Sequence, residues 1–258
     1  MTTLVAEPLR ESVEATEAPA RHSCTIVVPV YNEADTIESV VAEIVDEMNR
    51  LEAPYRLLIL NDGSTDWSPE LESRLAALGP VELRSFQPNQ GKGAMLDRAF
   101  PTLETEFTVV IDADAEYRAA DIPGLLAPMI EGRADWVLGS RYGFGRRRPT
   151  QYLATYLVNR LVNLYFRLLS GIRLQDLLTG LYGFRSELVR DLRLREKRFS
   201  YTAELIWKVL RSRAPRLQEV PIAYRFRSYA EGKKIRWWET GTILLAILRY
   251  RFTRKERR

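Results

Sequence analysis

Five apolar runs, each ending in a polar cluster and four of them followed at once by a helical stretch, constrain this chain more than any other feature. The first, TIVVPV at 25–30, is an almost unbroken β-branched run, as expected of a strand buried on both faces. The helix after it carries one apolar stripe, Ile37, Val40, Val41, Ile44, Val45 and Met48. Asp35 with Glu38 three residues on reads as its capping box. YRLLIL at 55–60, VELRSF at 81–86, FTVVIDADAEY at 107–117 and ADWVLGSRY at 134–142 are the further strands, and PELESRLAALG, AMLDRAFPTL and DIPGLLAPMIEG are the intervening helices. Strands alternating with helices of this length predict an α/β fold with a mainly parallel sheet. Ligands of such sheets bind beyond the carboxyl ends of the strands. The polar clusters YNE, NDGSTD, NQGKG, DADAE and GSR stand at those five ends, so they define one site.

Composition sets the outer bounds. A chain of 258 residues that is 46% hydrophobic can build one large domain. A single cysteine, Cys24, excludes an internal disulfide, and a single histidine, His22, excludes a histidine-rich metal centre. Residues 1–21 mix Glu, Ala, Thr and Pro without apolar periodicity and read as a disordered tail. The opening residues are acidic and lack the apolar segment of a secretory leader, and no run reaches the roughly 18–20 apolar residues of a membrane span. A soluble or peripherally attached protein is expected. Charge is uneven: residues 1–184 carry 17 Lys/Arg against 26 Asp/Glu, and residues 185–258 carry 21 against 8. The basic C-terminal part calls for an anionic partner.

The clusters differ in what they can do. Asp112, Asp114 and Glu116 alternate at a strand end and, in extended geometry, project to one side. Three close carboxylates repel one another unless a cation sits among them, and Mg²⁺ or Mn²⁺ prefers oxygen ligands. A solvated loop is the bland reading; the four neighbouring clusters favour the metal. Asp62 stands before a glycine turn and can accept from a base or ribose, or simply form an Asp-Gly turn. Lys92 is an anion contact or a surface lysine; NQGKG lacks the spacing of a phosphate loop. Arg141 suits bidentate phosphate recognition.

In this order VPVYNE, NDGSTD, NQGKG, DADAE, GSR and QDLLTGLYGFR resemble the family 2 glycosyltransferases with the GT-A fold, and more narrowly the polyprenyl-phosphate (dolichol-phosphate) mannose synthase group. The resemblance covers roughly residues 24–230. It implies that Pro29, Tyr31 and Glu33 line the base and ribose pocket of a nucleotide-sugar donor, with Asp62 opposite. Asp112, Asp114 and Glu116 would hold the divalent metal and, through it, the donor diphosphate; many relatives carry Gln where this chain has Glu116. Arg141 and Arg160 would contact the acceptor phosphate, although the residues around Arg160 depart from the family pattern. Asp176 matches an acid facing the sugar. Arg225, Arg227, Lys233 and Lys234 resemble a mobile basic loop over the donor. The implied reaction is inverting transfer of a sugar, from GDP-mannose or a UDP-hexose, to a polyprenyl phosphate. That nucleophile is already anionic and needs no strong base. For a hydroxyl acceptor of the same fold, Asp176 would be the base candidate.

The C-terminal part divides the expectations. Leu153, Leu157, Leu161, Leu164 and Leu168 recur at helical spacing and read first as core, with Tyr152, Tyr156, Tyr165 and Phe166 as candidates for a lipid-facing groove. EVPI at 219–222 reads as an edge strand. The division expected is a tail at 1–21, a transferase domain at 22–234 and a basic amphipathic helix and tail at 235–258. Trp237 and Trp238 at one end of that helix, with Arg249 and Arg251 at the other, are the flanks of an interfacial helix. Attachment to the cytoplasmic face of an anionic membrane is expected, against the alternative of a helix docked on the domain. A nucleic-acid partner is not expected, because no zinc finger, helix-turn-helix or aromatic RNA-binding motif is present. A nucleotidyltransferase would share the metal and nucleotide chemistry, but VPVYNE with NDGSTD favours glycosyl transfer.

Overall fold

The computed structural model describes residues 22–142, 153–225 and 239–253, with the side chains of 153, 154 and 239 left aside. Seven strands form one sheet in the order β3-β2-β1-β4-β6-β5-β7. These are β1 (Cys24–Val30), β2 (Tyr55–Asn61), β3 (Val81–Ser85), β4 (Phe107–Val110), β5 (Trp136–Ser140), β6 (Tyr182–Arg185) and β7 (Leu217–Pro221). The first four are mutually parallel; β6 runs antiparallel between β4 and β5, and β7 lies parallel to β5 on the edge. The α/β fold and edge strand expected from the sequence are present. The strand β6, inside the quoted QDLLTGLYGFR motif, was not foreseen as a strand.

The strands are buried on both faces because helices cover both. Along β1 and β2, Ile26, Val28, Leu57 and Ile59 face a core shared with α1 (Ala34–Arg50), α2 (Pro69–Ala77) and α4 (Ile122–Ile130). Val27, Leu58 and Leu60 face the opposite core, shared with α3 (Lys92–Ala99), α5 (Leu153–Ser170), α6 (Tyr201–Arg213) and α7 (Glu239–Phe252). This period-two split explains why these runs read as continuously apolar.

Four local expectations are corrected. The α1 stripe is buried as expected, but its cap is not Asp35. The helix begins at Ala34, Glu33 is the N-cap, and Asp66 Oδ2 accepts from the Ala34 N–H at 3.0 Å. A distant loop thus supplies the acceptor that the capping-box pattern assigned locally. Second, β4 ends at Val110, so the acids at 112–116 lie on a turn rather than on an extended strand. Ala115 has a left-handed backbone (φ 56°), and Asp114 Oδ1 accepts from the Glu116 N–H at 3.1 Å, which closes the turn. Third, the leucines of the α5 stripe that are described, all but Leu153, do not enter the core. Leu157, Leu161, Leu164 and Leu168 are exposed, and the buried face is Asn159, Val162, Asn163 and Phe166. Two asparagines are buried because each has a fixed partner: Asn159 donates to Tyr142 Oη at 3.0 Å, and Asn163 accepts from the Leu177 N–H at 3.0 Å. Fourth, Phe166 is fully buried, so it lines no outer groove.

The C-terminal helix packs on the domain. Ile243, Ala246, Ile247 and Tyr250 of α7 join the same core as α5 and α6. Its other face exposes Leu245, Leu248 and Phe252. Among the described residues no helix is long and apolar enough to cross a membrane. The tail at 1–21, Tyr152, the basic-loop candidates Arg227, Lys233 and Lys234, the tryptophans Trp237 and Trp238, and the boundary at 234/235 lie outside the described residues.

Candidate active site

The carboxyl ends of β1, β2, β3, β4 and β5 point to one rim, and hydrogen bonds join neighbouring ends into one surface. After β1, the Asn32 N–H donates to Ser64 Oγ at 3.0 Å, and Asn32 Oδ1 accepts from the Thr65 N–H at 2.8 Å. These contacts hold YNE against NDGSTD. Pro29 is half-buried at the end of β1, Tyr31 is exposed and Glu33 is half-buried at the start of α1.

Asp62 organises the next segment. Its carboxylate, almost fully buried, accepts from Asn89 Nδ2 at 2.9 Å, the Gln90 N–H at 2.8 Å and the Gly91 N–H at 2.6 Å. Three charge-assisted bonds to one short loop fix NQGKG under the rim. Gly91 has φ 96° and lies against the Lys197 carbonyl, so this turn requires glycine. The Gly93 N–H donates to Lys197 O at 2.8 Å. The 195–197 segment is itself held by the fully buried carboxylate of Glu204, which accepts from the Arg195 and Glu196 N–H groups at 2.7–2.9 Å and pairs with Lys208 at 2.7 Å.

That scaffold places Lys92 on Asp112. The ammonium contacts Asp112 Oδ1, and both side chains are mostly withdrawn from solvent. Desolvation works against the lysine charge, yet the Asp112 carboxylate outweighs it and raises the Lys92 pKa. Lys92 is therefore part of the site rather than a surface lysine. Gly180 lies so close to Asp112 Oδ2 and to the Tyr117 ring that a Cβ there would collide with both. Its N–H donates to Tyr117 Oη at 2.7 Å.

The acids of DADAE do not converge. Glu116 accepts from the Tyr224 hydroxyl, and its carbonyl accepts from the Arg225 N–H at 2.8 Å. Tyr117 and Tyr224 form a β-bridge with their rings edge to face at 5.1 Å. Burial raises the pKa of both tyrosines, so they act as neutral hydrogen-bonding groups. Among the described residues no group of three His, Cys, Asp or Glu side chains could hold a metal ion. Asp112 and Asp114 nevertheless carry the hard carboxylate oxygens that Mg²⁺ and Mn²⁺ take, so the donor chemistry of these residues fits such an ion.

Arg141 and Asp176 form the other end of the rim. Arg141 Nε donates to Asp176 Oδ2 at 2.7 Å, Nη2 to Oδ1 at 2.8 Å, and the Arg141 N–H to Oδ2 at 2.9 Å. Asp176 is fully buried and Arg141 nearly so. Desolvation opposes the guanidinium charge, but the Asp176 carboxylate prevails and raises its pKa. Removing one partner of such a pair costs about 3–5 kcal/mol, because the other is left charged and buried. Nη2 also donates to Leu178 O at 3.1 Å. Among the described residues Nη1 has no hydrogen-bond partner, which leaves that edge to meet an anion. Glu219 stands behind the pair: its carboxylate accepts from the Gln175 and Asp176 N–H groups at 2.8–2.9 Å. Arg160 is exposed on α5, one residue beyond Asn159, whose amide donates to Tyr142 Oη at 3.0 Å.

Sequence reasoning missed Asn32, Tyr117, Gly180, Glu204, Glu219 and Tyr224 as site-builders. Asn32 and Gly180 lie inside the quoted motifs. The glutamates and tyrosines act through long-range contacts that no local pattern marks.

A family model described as glycosyl transferase family 2 matches residues 25–193. The chain is 30% identical over 189 residues to glycosyltransferase AglJ of Haloferax volcanii, covering 72% of this chain and 58% of that one. It is 25% identical over 230 residues to polyprenol monophosphomannose synthase of Mycolicibacterium smegmatis, covering 85% and 83%. An undecaprenyl-phosphate 4-deoxy-4-formamido-L-arabinose transferase of Pseudomonas fluorescens is 25% identical, with 82% and 60% covered. The chain thus spans less than two thirds of the length of two of these three relatives. Among solved structures, glucosyl-3-phosphoglycerate synthase of Mycobacterium tuberculosis superposes with a TM-score of 0.64 at 24% identity, over 90% of this chain and 80% of that one. That enzyme has been crystallised with Mn²⁺, UDP-glucose and phosphoglyceric acid. At this identity the likeness speaks for the GT-A fold.

Proposed function

The chain belongs to glycosyl transferase family 2 and resembles its polyprenyl-phosphate sugar synthases, and on that premise we propose that it moves a sugar from a nucleotide-sugar to a polyprenyl phosphate at a membrane surface. The observation that carries the donor half is the joined rim: Pro29, Tyr31, Glu33 and the loop ordered by Asp62 on one side, with Lys92, Asp112 and Asp114 at its centre. Asp112 and Asp114 would hold a divalent cation, and when bound it would offset the charge of the donor diphosphate. Lys92 adds a fixed positive charge beside the same diphosphate. Glu116, through Tyr224, ties the rim to the segment that runs into 226–238, where Arg227, Lys233 and Lys234 would close over the donor.

For the acceptor, Arg141 presents Nη1 to a phosphate while Asp176 and Glu219 hold the guanidinium in place. A phosphate monoester is an anion at neutral pH, so attack on the sugar needs positioning and charge offset rather than a general base. Asp176 suits this better than a hydroxyl acceptor, since its carboxylate is committed to Arg141. Arg160 would act on the membrane side, where it stands among exposed leucines.

The membrane half rests on α5 and α7. Their exposed side chains include Leu157, Leu161, Leu164, Leu168, Leu245, Leu248 and Phe252, with Arg160, Arg167, Arg249 and Arg251 between them, and of these arginines Arg249 alone pairs with an acid among the described residues, Glu196 at 3.4 Å. Each large apolar side chain left in water forgoes ~1.5–3 kcal/mol relative to burial, and a surplus of arginine over acid complements an anionic surface. Peripheral attachment to the cytoplasmic face of an anionic membrane satisfies both.

A turnover screen tests the proposal. Full-length protein with Mg²⁺ or Mn²⁺ would receive GDP-mannose, UDP-glucose or UDP-N-acetylglucosamine, with polyprenyl phosphate or 3-phosphoglycerate as acceptor. Glycolipid from one donor is the expected result and names the sugar. Transfer to 3-phosphoglycerate alone would discard the lipid acceptor and keep the donor site.

A further inference from the structure

The C-terminal ends of α5, α6 and α7 meet around an open cleft of about 410 Å³ that the transfer reaction does not use. Its wall includes Leu169, Ile172, Trp207, Leu210, Arg211 and Arg251. The two guanidinium groups flank one indole: Arg211 lies 5.5 Å and Arg251 5.6 Å from the Trp207 ring centroid. Arg211 donates to the carbonyls of Arg251 and Thr253, and Arg251 Nε donates to Leu169 O at 2.8 Å. These carbonyls belong to the C-terminal ends of α5 and α7, and a whole helix end offers only about half a negative charge. Among the described residues neither arginine pairs with a carboxylate. The Arg211 pKa is lowered, first by desolvation and then by the Arg251 charge, as expected of neighbouring cations without a counter-ion. The Nε1–H of Trp207 is buried and has no acceptor.

The cleft is rich in donors and positive charge and poor in acceptors. We propose that it binds a phosphate group, with Arg211 and Arg251 as its ligands. Two sources share that chemistry, a lipid headgroup and free phosphate. The surroundings favour the headgroup: Leu168 next to Leu169 is 74% exposed and Phe252 next to Arg251 is 72% exposed. An acyl chain leaving the cleft would meet these side chains at the edge of the α5–α7 face. This preference for a lipid rests on the membrane reading of that face; the phosphate site itself does not.

Calorimetric titration of full-length protein with inorganic phosphate and with dihexanoyl phosphatidylglycerol, both without vesicles, tests the site. Binding of either ligand that weakens at least about tenfold in R251Q, and further in R211Q/R251Q, is the expected result for lost charge-assisted bonds. Tighter binding of the lipid than of phosphate assigns the headgroup; equal binding assigns free phosphate. R251Q removes one backbone hydrogen bond and the ring contacts of an exposed side chain, so its melting temperature should stay close to that of the parent and it carries the test even if the double variant does not fold. No binding of either ligand, or binding unchanged in R251Q, overturns the site. L161E/L168E separates the two readings: it should lose phosphatidylglycerol vesicles while keeping dihexanoyl phosphatidylglycerol. Loss of vesicle binding alone in the parent would discard the membrane reading and leave the cleft standing.

Discussion

The rim above the sheet and the outer layer of α5 and α7 are built on opposite principles. At the rim, carboxylates grip backbone amides: Asp62 holds 90–91, Glu204 holds 195–196 and Glu219 holds 175–176. Few polar groups there lack a partner, and the working side chains Lys92, Asp112, Arg141 and Asp176 are fixed by their neighbours. On the outer layer, leucines stand exposed in solvent beside arginines of which only Arg249 and Arg251 have hydrogen-bonded partners among the described residues. The difference teaches that precision and adhesion are separated in this molecule. The rim must position charged groups to within a fraction of an ångström, whereas a surface that meets lipid needs area and charge sign, not register.

Breaking the rim should cost most. Asp114→Ala should lower sugar transfer by about a thousandfold or more, the scale of losing electrostatic stabilisation of a leaving group, and cost about 1 kcal/mol of stability for the lost turn bond to the Glu116 N–H; a mutant that keeps a tenth of the activity would remove Asp114 from the site. Gly180→Ala should come next. Its Cβ would displace Asp112 and Tyr117, so transfer should fall by about a hundredfold and stability by about 1–3 kcal/mol. Denaturant titration beside the activity assay would separate these two effects. Activity loss with unchanged donor affinity would point away from Asp112.

Charging the outer layer should do the reverse. L161E/L168E should weaken binding to phosphatidylglycerol vesicles by at least about tenfold, because two apolar contacts are lost and two negative charges are gained. Its stability should stay within about 0.5 kcal/mol of the parent, as for exposed sites generally. A large stability loss would instead mean that the stripe is core.

The smallest effect lies away from both regions. Asp135, hydrogen-bonded by Arg216 at 2.7 and 2.9 Å, has its pKa lowered from 3.8 to about 2. A depressed carboxylate pKa adds stability that is complete above the unfolded value and lost as pH falls through the folded one. Arg216 is largely exposed, so screening limits the effect to about 1 kcal/mol. Urea melts of the parent and Asp135→Asn should therefore differ by about that amount at pH 6 and converge near pH 2. An equal gap at both pH values would contradict the linkage.

The same contrast explains what could be read in the sequence. The α/β architecture was legible because strand runs buried on both faces leave an unmistakable apolar signature. The rim was legible because polar clusters at strand ends are unusual. The positions of the side chains were not. Asp112, Asp114 and Glu116 looked like one extended triad, but Ala115 turns the chain and Tyr224, distant in sequence, draws Glu116 aside. Asp176 looked available as a base, and nothing local shows that Arg141 occupies it. The spacing of the α5 leucines predicts a core face, because helical periodicity marks a face without saying what the face meets. The buried face carries Asn159 and Asn163, whose partners Tyr142 and Leu177 are found by folding alone.

The most direct measurement offers the full-length protein two lipid acceptors in the same vesicles, polyprenyl phosphate and polyprenol, with the donor that the screen identifies. They differ in the phosphate alone. Transfer to polyprenyl phosphate, none to polyprenol, and loss of that transfer in Asp114→Ala are expected of a site that offsets charge and supplies no base. Comparable transfer to polyprenol would contradict it, since a neutral hydroxyl would then be activated at a rim whose candidate base is held by Arg141.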